Sequence, residues 1–144
     1  VLRLAELHGI DGAARLLNRQ SGLLGLGGAS DMRALRAAGT PEAAFAIEHF
    51  AYWAVRHAGS MVAAMGGLDA IAFTGGIGEN DAAMRAAIVA GLGFLGARID
   101  PAANAARAEI LSATGSDVAI RIVRAEEERQ IASEAITIMA EEQA

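Results

Sequence analysis

Apolar residues at three- and four-residue spacing mark one long segment: Ile47, Phe50, Ala51, Ala54, Ala58, Met61, Val62 and Met65. They predict a helix of about 25 residues with a single buried face. "TPEAAF" opens it, with Thr40 as N-cap, Pro41 at the first helical position and Glu42 in the first turn; Gly66-Gly67 closes it. Two short, nearly continuous apolar runs, "DAIAFT" (69–74) and "DVAIRIV" (117–123), read as strands covered on both faces. Between them Met84, Ile88 and Leu92 form a helical stripe for which Asn80 is a candidate cap. "ARID" (97–100) reads as a short strand, and "PAANAARAEIL" as a helix opening at Pro101. A closing helix packs Ile131, Ala135, Ile138 and Met139.

Upstream, residues 1–18 read as two short helical pieces, the second opening at Asp11. "SGLLGLGGAS" (21–30), with four glycines in ten residues, reads as loop; "DMRALRAAG" follows as a short helix ended by Gly39. The order helix, strand, helix, strand, helix predicts an α/β chain, helix-rich with a small parallel sheet. Two strands make a thin sheet. Either further strands are hidden in the pattern or they belong to a longer chain. The latter is the expectation, since the first residue is Val and "VLRLAELHG" begins as if already inside a helix.

Composition narrows the chemistry. With 53% hydrophobic and 20% charged residues over 144 positions the chain is globular. A net charge of −5 supplies no basic stripe for nucleic acid or an anionic membrane. Glu48, His49, Arg56 and His57 in the middle of the longest helix argue against a membrane span. There is no cysteine, hence no disulfide or thiolate metal site, and a cytoplasmic setting is the default expectation. All twelve basic residues are arginine. Without lysine, a Walker-type phosphate loop and Schiff-base chemistry are both excluded.

Three stretches carry candidate chemistry. In "IAFTGGIGEN" (71–80) a strand runs into Gly75, Gly76 and Gly78. Removing side chains at the carboxyl end of a parallel strand opens backbone to a ligand such as a nucleotide, with Glu79 and Asn80 adding polar contacts. A tight strand–helix turn capped by Asn80 accounts for the same residues. In "SGLLGLGGASDMR", Asp31 and Arg33 at a helix start suit a ribose or metal and an adenine face or phosphate, or Asp31 is simply an N-cap. The run Glu126-Glu127-Glu128 suits a helix N-terminus through its dipole, or one carboxylate holds Mg²⁺ against phosphates. His8, His49 and His57 make no metal site by spacing, Tyr52-Trp53 reads as packing, and no Ser-His-Asp set is visible.

Taken together these stretches resemble the acetate kinase family, specifically its C-terminal third. "NRQSGLLGLGGASDMRAL", "GLDAIAFTGGIGENDAAMR", "LGARIDPAANA" and "IVRAEEERQIA" follow that family's motifs in order, from about residue 18 to the end. The resemblance implies a partial RNase H-like (actin-like ATPase) fold, with residues 1–144 as the C-terminal nucleotide-binding part and the N-terminal domain absent. It implies reversible, ATP-dependent phosphorylation of acetate to acetyl phosphate, ATP/ADP and Mg²⁺ as cofactors, and a homodimer as the full-length protein. Asp31, Met32 and Arg33 fall on its nucleotide-binding segment, and Gly76, Ile77, Gly78, Glu79 and Asn80 on the loop that holds adenosine and phosphate. Glu127 falls on the Mg²⁺ ligand, although the family's Thr-Asn before its Glu pair is Ala125-Glu126 here. The family's catalytic groups precede this segment, so no catalytic residue is assigned and the chain alone is expected to be inactive. A propionate or butyrate kinase segment, or a non-catalytic nucleotide-binding or oligomerising module, are the competing expectations.

Overall fold

The computed structural model describes residues 1–141, excepting the side chains of residues 127–129, 137, 140 and 141. The chain divides into two compact units: residues 1–67 with 87–94, and residues 68–86 with the chain from 95 on.

In the first unit, α1 (Leu2–Arg19) is interrupted at Gly9, whose φ of 71° and ψ of 169° break the helical path. The two expected pieces are present, with the break two residues before Asp11. The stretch expected to be loop contains a helix, α2 (Gly22–Gly27). Glycine is a poor helix former, but here absence of a side chain is what packing requires. A Cβ on Gly27 would lie 2.6 Å from Leu35 Cδ2 and 2.8 Å from Ala46 Cβ. Tertiary close approach thus overrides local propensity. α3 (Met32–Ala38) and α4 (Pro41–Met65) follow, each ended by a left-handed glycine, Gly39 and Gly66. Thr40 caps α4 as expected, its hydroxyl accepting from Ala43 N–H at 3.2 Å. α2 and α3 both pack on α4, and Met32, Leu35, Ala43 and Ala46 are buried there.

In the second unit, β1 (Ala70–Phe73) and β2 (Ala119–Ile122) pair in parallel, Ala70 opposite Ala119 and Phe73 opposite Ile122. Both are shorter than the apolar runs that predicted them. Beyond the last pair, Val123 N–H still donates to Phe73 O at 2.8 Å. The strand expected at 97–100 reduces to one antiparallel bridge, Ile99 with Ser112, and a second bridge places Ile110 beside Arg121 of β2. α5 (Gly75–Asn80), α6 (Ala82–Gly91) and α7 (Pro101–Ala106) lie between the strands in sequence, and α8 (Glu127–Glu141) follows. Asp100 caps α7 by accepting from Ala103 N–H at 2.8 Å. Phe73, Met84, Leu111, Val118, Ile120 and Ile122 supply the apolar core of this unit. Among the described residues no helix is long and apolar enough to cross a membrane.

Candidate functional site

The glycine-rich stretch after β1 is not an open loop. Thr74 is extended, and residues 75–80 form the short helix α5. Each glycine has a different reason to be there. Gly75 has a φ of 69°, in the left-handed region where a side chain is strained. A Cβ on Gly78 would come within 3.2 Å of the Phe73 carbonyl carbon, so a side chain there crowds the backbone of β1 where the turn folds back onto it. Gly76 has neither constraint: its φ lies outside the left-handed region and a Cβ there would meet nothing within 4 Å. Of the three, Gly76 alone is explained by no contact among the described residues.

Side chains pin the backbone of this turn. Glu79 Oε1 accepts from Gly75 N–H at 3.0 Å and from Ala125 N–H at 2.9 Å. One carboxylate oxygen therefore satisfies the first donor of α5 and ties the turn to the segment leading into α8. Asn80 Nδ2 donates to Gly76 O at 3.0 Å, and Asn80 Oδ1 accepts from Arg107 Nη1 at 3.0 Å. Asn80 is thus the last residue of α5 and not the cap of the next helix. That role falls to Asp81, whose Oδ1 accepts from Met84 N–H at 2.9 Å.

Four residues that sequence reasoning passed over belong to this constellation. Arg85 on α6 is fully buried. Its Nη1 donates to Gly78 O at 2.8 Å, while Nε and Nη2 donate to Asn104 Oδ1 and O at 2.7 and 2.9 Å. Asn104 in turn donates from Nδ2 to Ala82 O at 2.8 Å. Burial pushes the Arg85 guanidinium below its ordinary pKa; the nearby Asp81 charge opposes that shift and Arg107 adds to it. Arg107, which ends α7 with a φ of 54°, is a non-glycine residue in the left-handed region. Such strain recurs at functional sites. Arg107, Arg124, Glu109, Ile122 and Val123 line a cavity of about 380 Å³ at the carboxyl end of β2. The one available signal was Arg85 itself, an arginine flanking the apolar stripe of Met84, Ile88 and Leu92.

Asp31, Met32 and Arg33 lie in the other unit. Asp31 caps α3, its Oδ1 accepting from Arg33 N–H at 2.8 Å and Ala34 N–H at 3.1 Å. It also pairs with the Arg33 guanidinium at 3.3 Å. The Arg33 side-chain bond, then the N–H groups of Ala34 and Arg33, hold the Asp31 carboxyl below its ordinary value against a small opposing desolvation. Met32 is buried, which leaves only its backbone to offer a ligand, whereas the Arg33 side chain is 93% exposed. Glu127 opens α8 two residues after Ala125, and its side chain lies outside the described residues. Among the described residues no cluster of three His, Asp or Glu is placed to hold a metal ion. The first unit also has an apolar groove of about 650 Å³ lined by Leu23, Leu26, Phe50 and Trp53 with His49 and His57. It gathers no arginine for a phosphate.

Residues 4–133 match the model of the acetokinase family. The chain is 46% identical over 125 residues to an acetate kinase of Rhizobium meliloti, covering 86% of this chain and 32% of that protein. It is 46% identical over 138 residues to one of Leifsonia xyli, covering 92% and 35%. Among solved structures, a Porphyromonas gingivalis acetate kinase superposes with a TM-score of 0.83 at 34% identity, covering 96% of this chain and 37% of that one. A propionate kinase from Francisella tularensis does so with a TM-score of 0.83 at 35% identity, covering 92% and 36%. The chain therefore spans about a third of the length of the curated relatives it matches.

Proposed function

The chain belongs to the acetokinase family, helix-rich with a small parallel sheet in the manner of the actin-like ATPases, and from that membership we propose that it supplies the nucleotide-binding side of a kinase. In the whole protein the reaction is transfer of the γ-phosphoryl group of ATP to the carboxylate of acetate, giving acetyl phosphate and ADP, and its reverse. The observation that carries this reading is Gly76. Gly75 lies in the left-handed region and Gly78 is tight against β1, whereas Gly76, among the described residues, leaves open space on its Cα side.

Gly76, Ile77, Gly78, Glu79 and Asn80 form the proposed nucleotide turn, with open backbone at Gly76 and the Arg107 and Arg124 guanidinium groups lining the cavity nearby. The internal bonds of Glu79 and Asn80 make them builders of that turn before they are contacts to a ligand. Asp31, Met32 and Arg33 are proposed as a second nucleotide-binding segment on the strength of the family likeness. Mg²⁺ carried by nucleotide phosphates keeps several waters and needs only one or two protein carboxylates, not a cage. The acidic start of α8 is compatible with that requirement, and Glu127 is the proposed ligand. When bound, Mg²⁺ supplies charge to the phosphates. No residue of this chain is assigned an acid, base or nucleophile, so positioning of the nucleotide is its whole contribution.

Acetate as acceptor follows the naming of the curated relatives, and a propionate kinase structure that superposes as well as the Porphyromonas gingivalis acetate kinase makes propionate the second reading. A cytoplasmic homodimer is proposed for the whole protein on the same family ground. The test is calorimetric titration of the 144-residue chain with ADP, with and without Mg²⁺, beside an assay for ATP made from acetyl phosphate and ADP. Binding without turnover is expected. A chain folded by circular dichroism that binds neither ADP nor ATP at millimolar concentration would falsify the nucleotide reading, and turnover by the chain alone would overturn its predicted inactivity.

A further inference from the structure

We propose that Arg85 is a positioning residue for the nucleotide turn: anchored by Asn104, it fixes the Gly78 carbonyl and so sets the shape that Gly76 offers to the ligand. The claim rests on the nucleotide reading for its functional half and on geometry for the rest.

A turn with three glycines in four residues is intrinsically loose, because each glycine loses more conformational freedom on ordering than any other residue. Loose binding segments lose affinity to the entropy of ordering. Here three backbone groups of the turn are held by side chains: Gly75 N–H by Glu79, Gly76 C=O by Asn80 and Gly78 C=O by Arg85. The first two clamps come from within the turn and move with it. Glu79 and Asn80 also meet Ala125 and Arg107, but Arg85 belongs to the next helix and, through its bonds to Asn104, holds the Gly78 carbonyl against both α6 and α7. Burying a guanidinium completely is costly unless its donors are used. Three bonds of 2.7 to 2.9 Å engage each of its three nitrogens, and two of these go to Asn104. Asn104 is itself buried and locked to Ala82 O. The planar fork of arginine is what permits Nη1 to reach Gly78 while Nε and Nη2 stay on Asn104; a lysine, with a single nitrogen, cannot do both.

The experiment compares the wild-type chain with Arg85→Lys, Arg85→Met and Asn104→Ala by amide hydrogen exchange and by ADP titration, both well below the melting temperature. The expected result is exchange in residues 75–80 faster by roughly tenfold or more, the equivalent of one hydrogen bond to a charged group, with β2 unchanged. ADP affinity falls by a similar factor. Asn104→Ala leaves the Gly78 bond and the Nη2 bond to the backbone carbonyl of residue 104 in place but removes the side-chain half of the anchor, Oδ1 to Nε and Nδ2 to Ala82 O, and it decides the matter should Arg85→Met fail to fold. Unchanged exchange in the turn, or an equal rise across the whole unit, overturns the proposal by reducing Arg85 to a general stabiliser. So does a lowered melting temperature with unaltered ADP affinity. If the wild-type chain itself does not bind ADP, the nucleotide reading falls, and the exchange comparison still decides whether Arg85 positions the turn.

Discussion

Replacing Gly76 by alanine separates a glycine kept for a ligand from glycines kept for the fold. A new Cβ at Gly76 meets nothing within 4 Å, and the residue sits in a helical turn outside the left-handed region. Alanine there lowers the entropy of the unfolded chain and favours helix, which stabilises by about 0.4–1 kcal/mol, or roughly 2–4 °C in melting temperature. The same methyl occupies the space proposed for the nucleotide. Overfilling a close contact costs about 1–3 kcal/mol, which corresponds to ADP binding weaker by roughly five- to 150-fold. Gly75→Ala must hold a side chain at a φ of 69° and is destabilised, by about 1–2 kcal/mol. Gly78→Ala sets a methyl 3.2 Å from the Phe73 backbone and is likewise destabilised. Thermal melts followed by circular dichroism, with ADP calorimetry on each variant, read both axes. A Gly76→Ala chain that is stabilised and binds ADP like the wild type would refute the reasoning, because nothing would then come close to that backbone.

Glu79→Ala should leave Gly75 N–H and Ala125 N–H without their acceptor and destabilise by about 1–3 kcal/mol; Glu79→Gln keeps an acceptor oxygen and should lose much less, and urea midpoints that rank the two equally would contradict the clamp. Glu127→Ala should weaken the Mg²⁺ dependence of ADP binding while Glu128→Ala does not. If the acidic run serves only the dipole of α8, both changes instead cost a similar, small amount, about 0.3–1 kcal/mol, and Mg²⁺ titrations coincide. The Asp31 carboxyl is held below its ordinary value of 3.8 chiefly by Arg33. Its contribution to folding is therefore fully present above that value and lost as pH falls through the depressed one. Asp31→Asn retains a capping oxygen and should flatten the loss of stability between pH 4 and the depressed value; an acid titration with the wild-type slope would show that Asp31 is not its source.

How much of this was legible in the sequence depended on how far apart the cooperating residues lie. The extent of α4 was legible, because its cap, its proline and its closing glycines all fall within one continuous stretch; its buried face was not, since α2 and α3 cover Ala43 and Ala46 while Met61 and Met65 of the expected face are exposed. The two strands and their parallel arrangement followed from their apolar runs, and the glycine-rich stretch declared itself as a candidate site. Its helical form did not, nor did that of α2. Local propensity sets glycine against helix by about 1 kcal/mol each, and what overrides it is contact with residues elsewhere in the chain. For α2 that is Ala46 and Leu35 against Gly27. For α5 it is the Arg85 bond to Gly78 O, with Ala125 and Arg107 holding the Glu79 and Asn80 side chains that clamp the turn from within.

Separation along the chain also divides the residues that a contiguous motif marks as candidate ligand contacts from those that hold them in place. Periodicity is read in windows of about 11–18 residues. Arg85 meets Asn104 across 19 positions, Arg107 meets Asn80 across 27, and Glu79 meets Ala125 across 46. Each pair exceeds the window, so neither partner marks the other. Arg85 adjoins the stripe of Met84, Ile88 and Leu92, and its polarity reads as the exposed edge of that stripe. Its burial is a consequence of Asn104 arriving from α7, and Asn104 in a run of alanines gives no sign of being a partner. Motifs of contiguous residues point to the atoms offered to a ligand; the rigidity that makes those atoms useful is distributed over pairs that only the folded chain brings together.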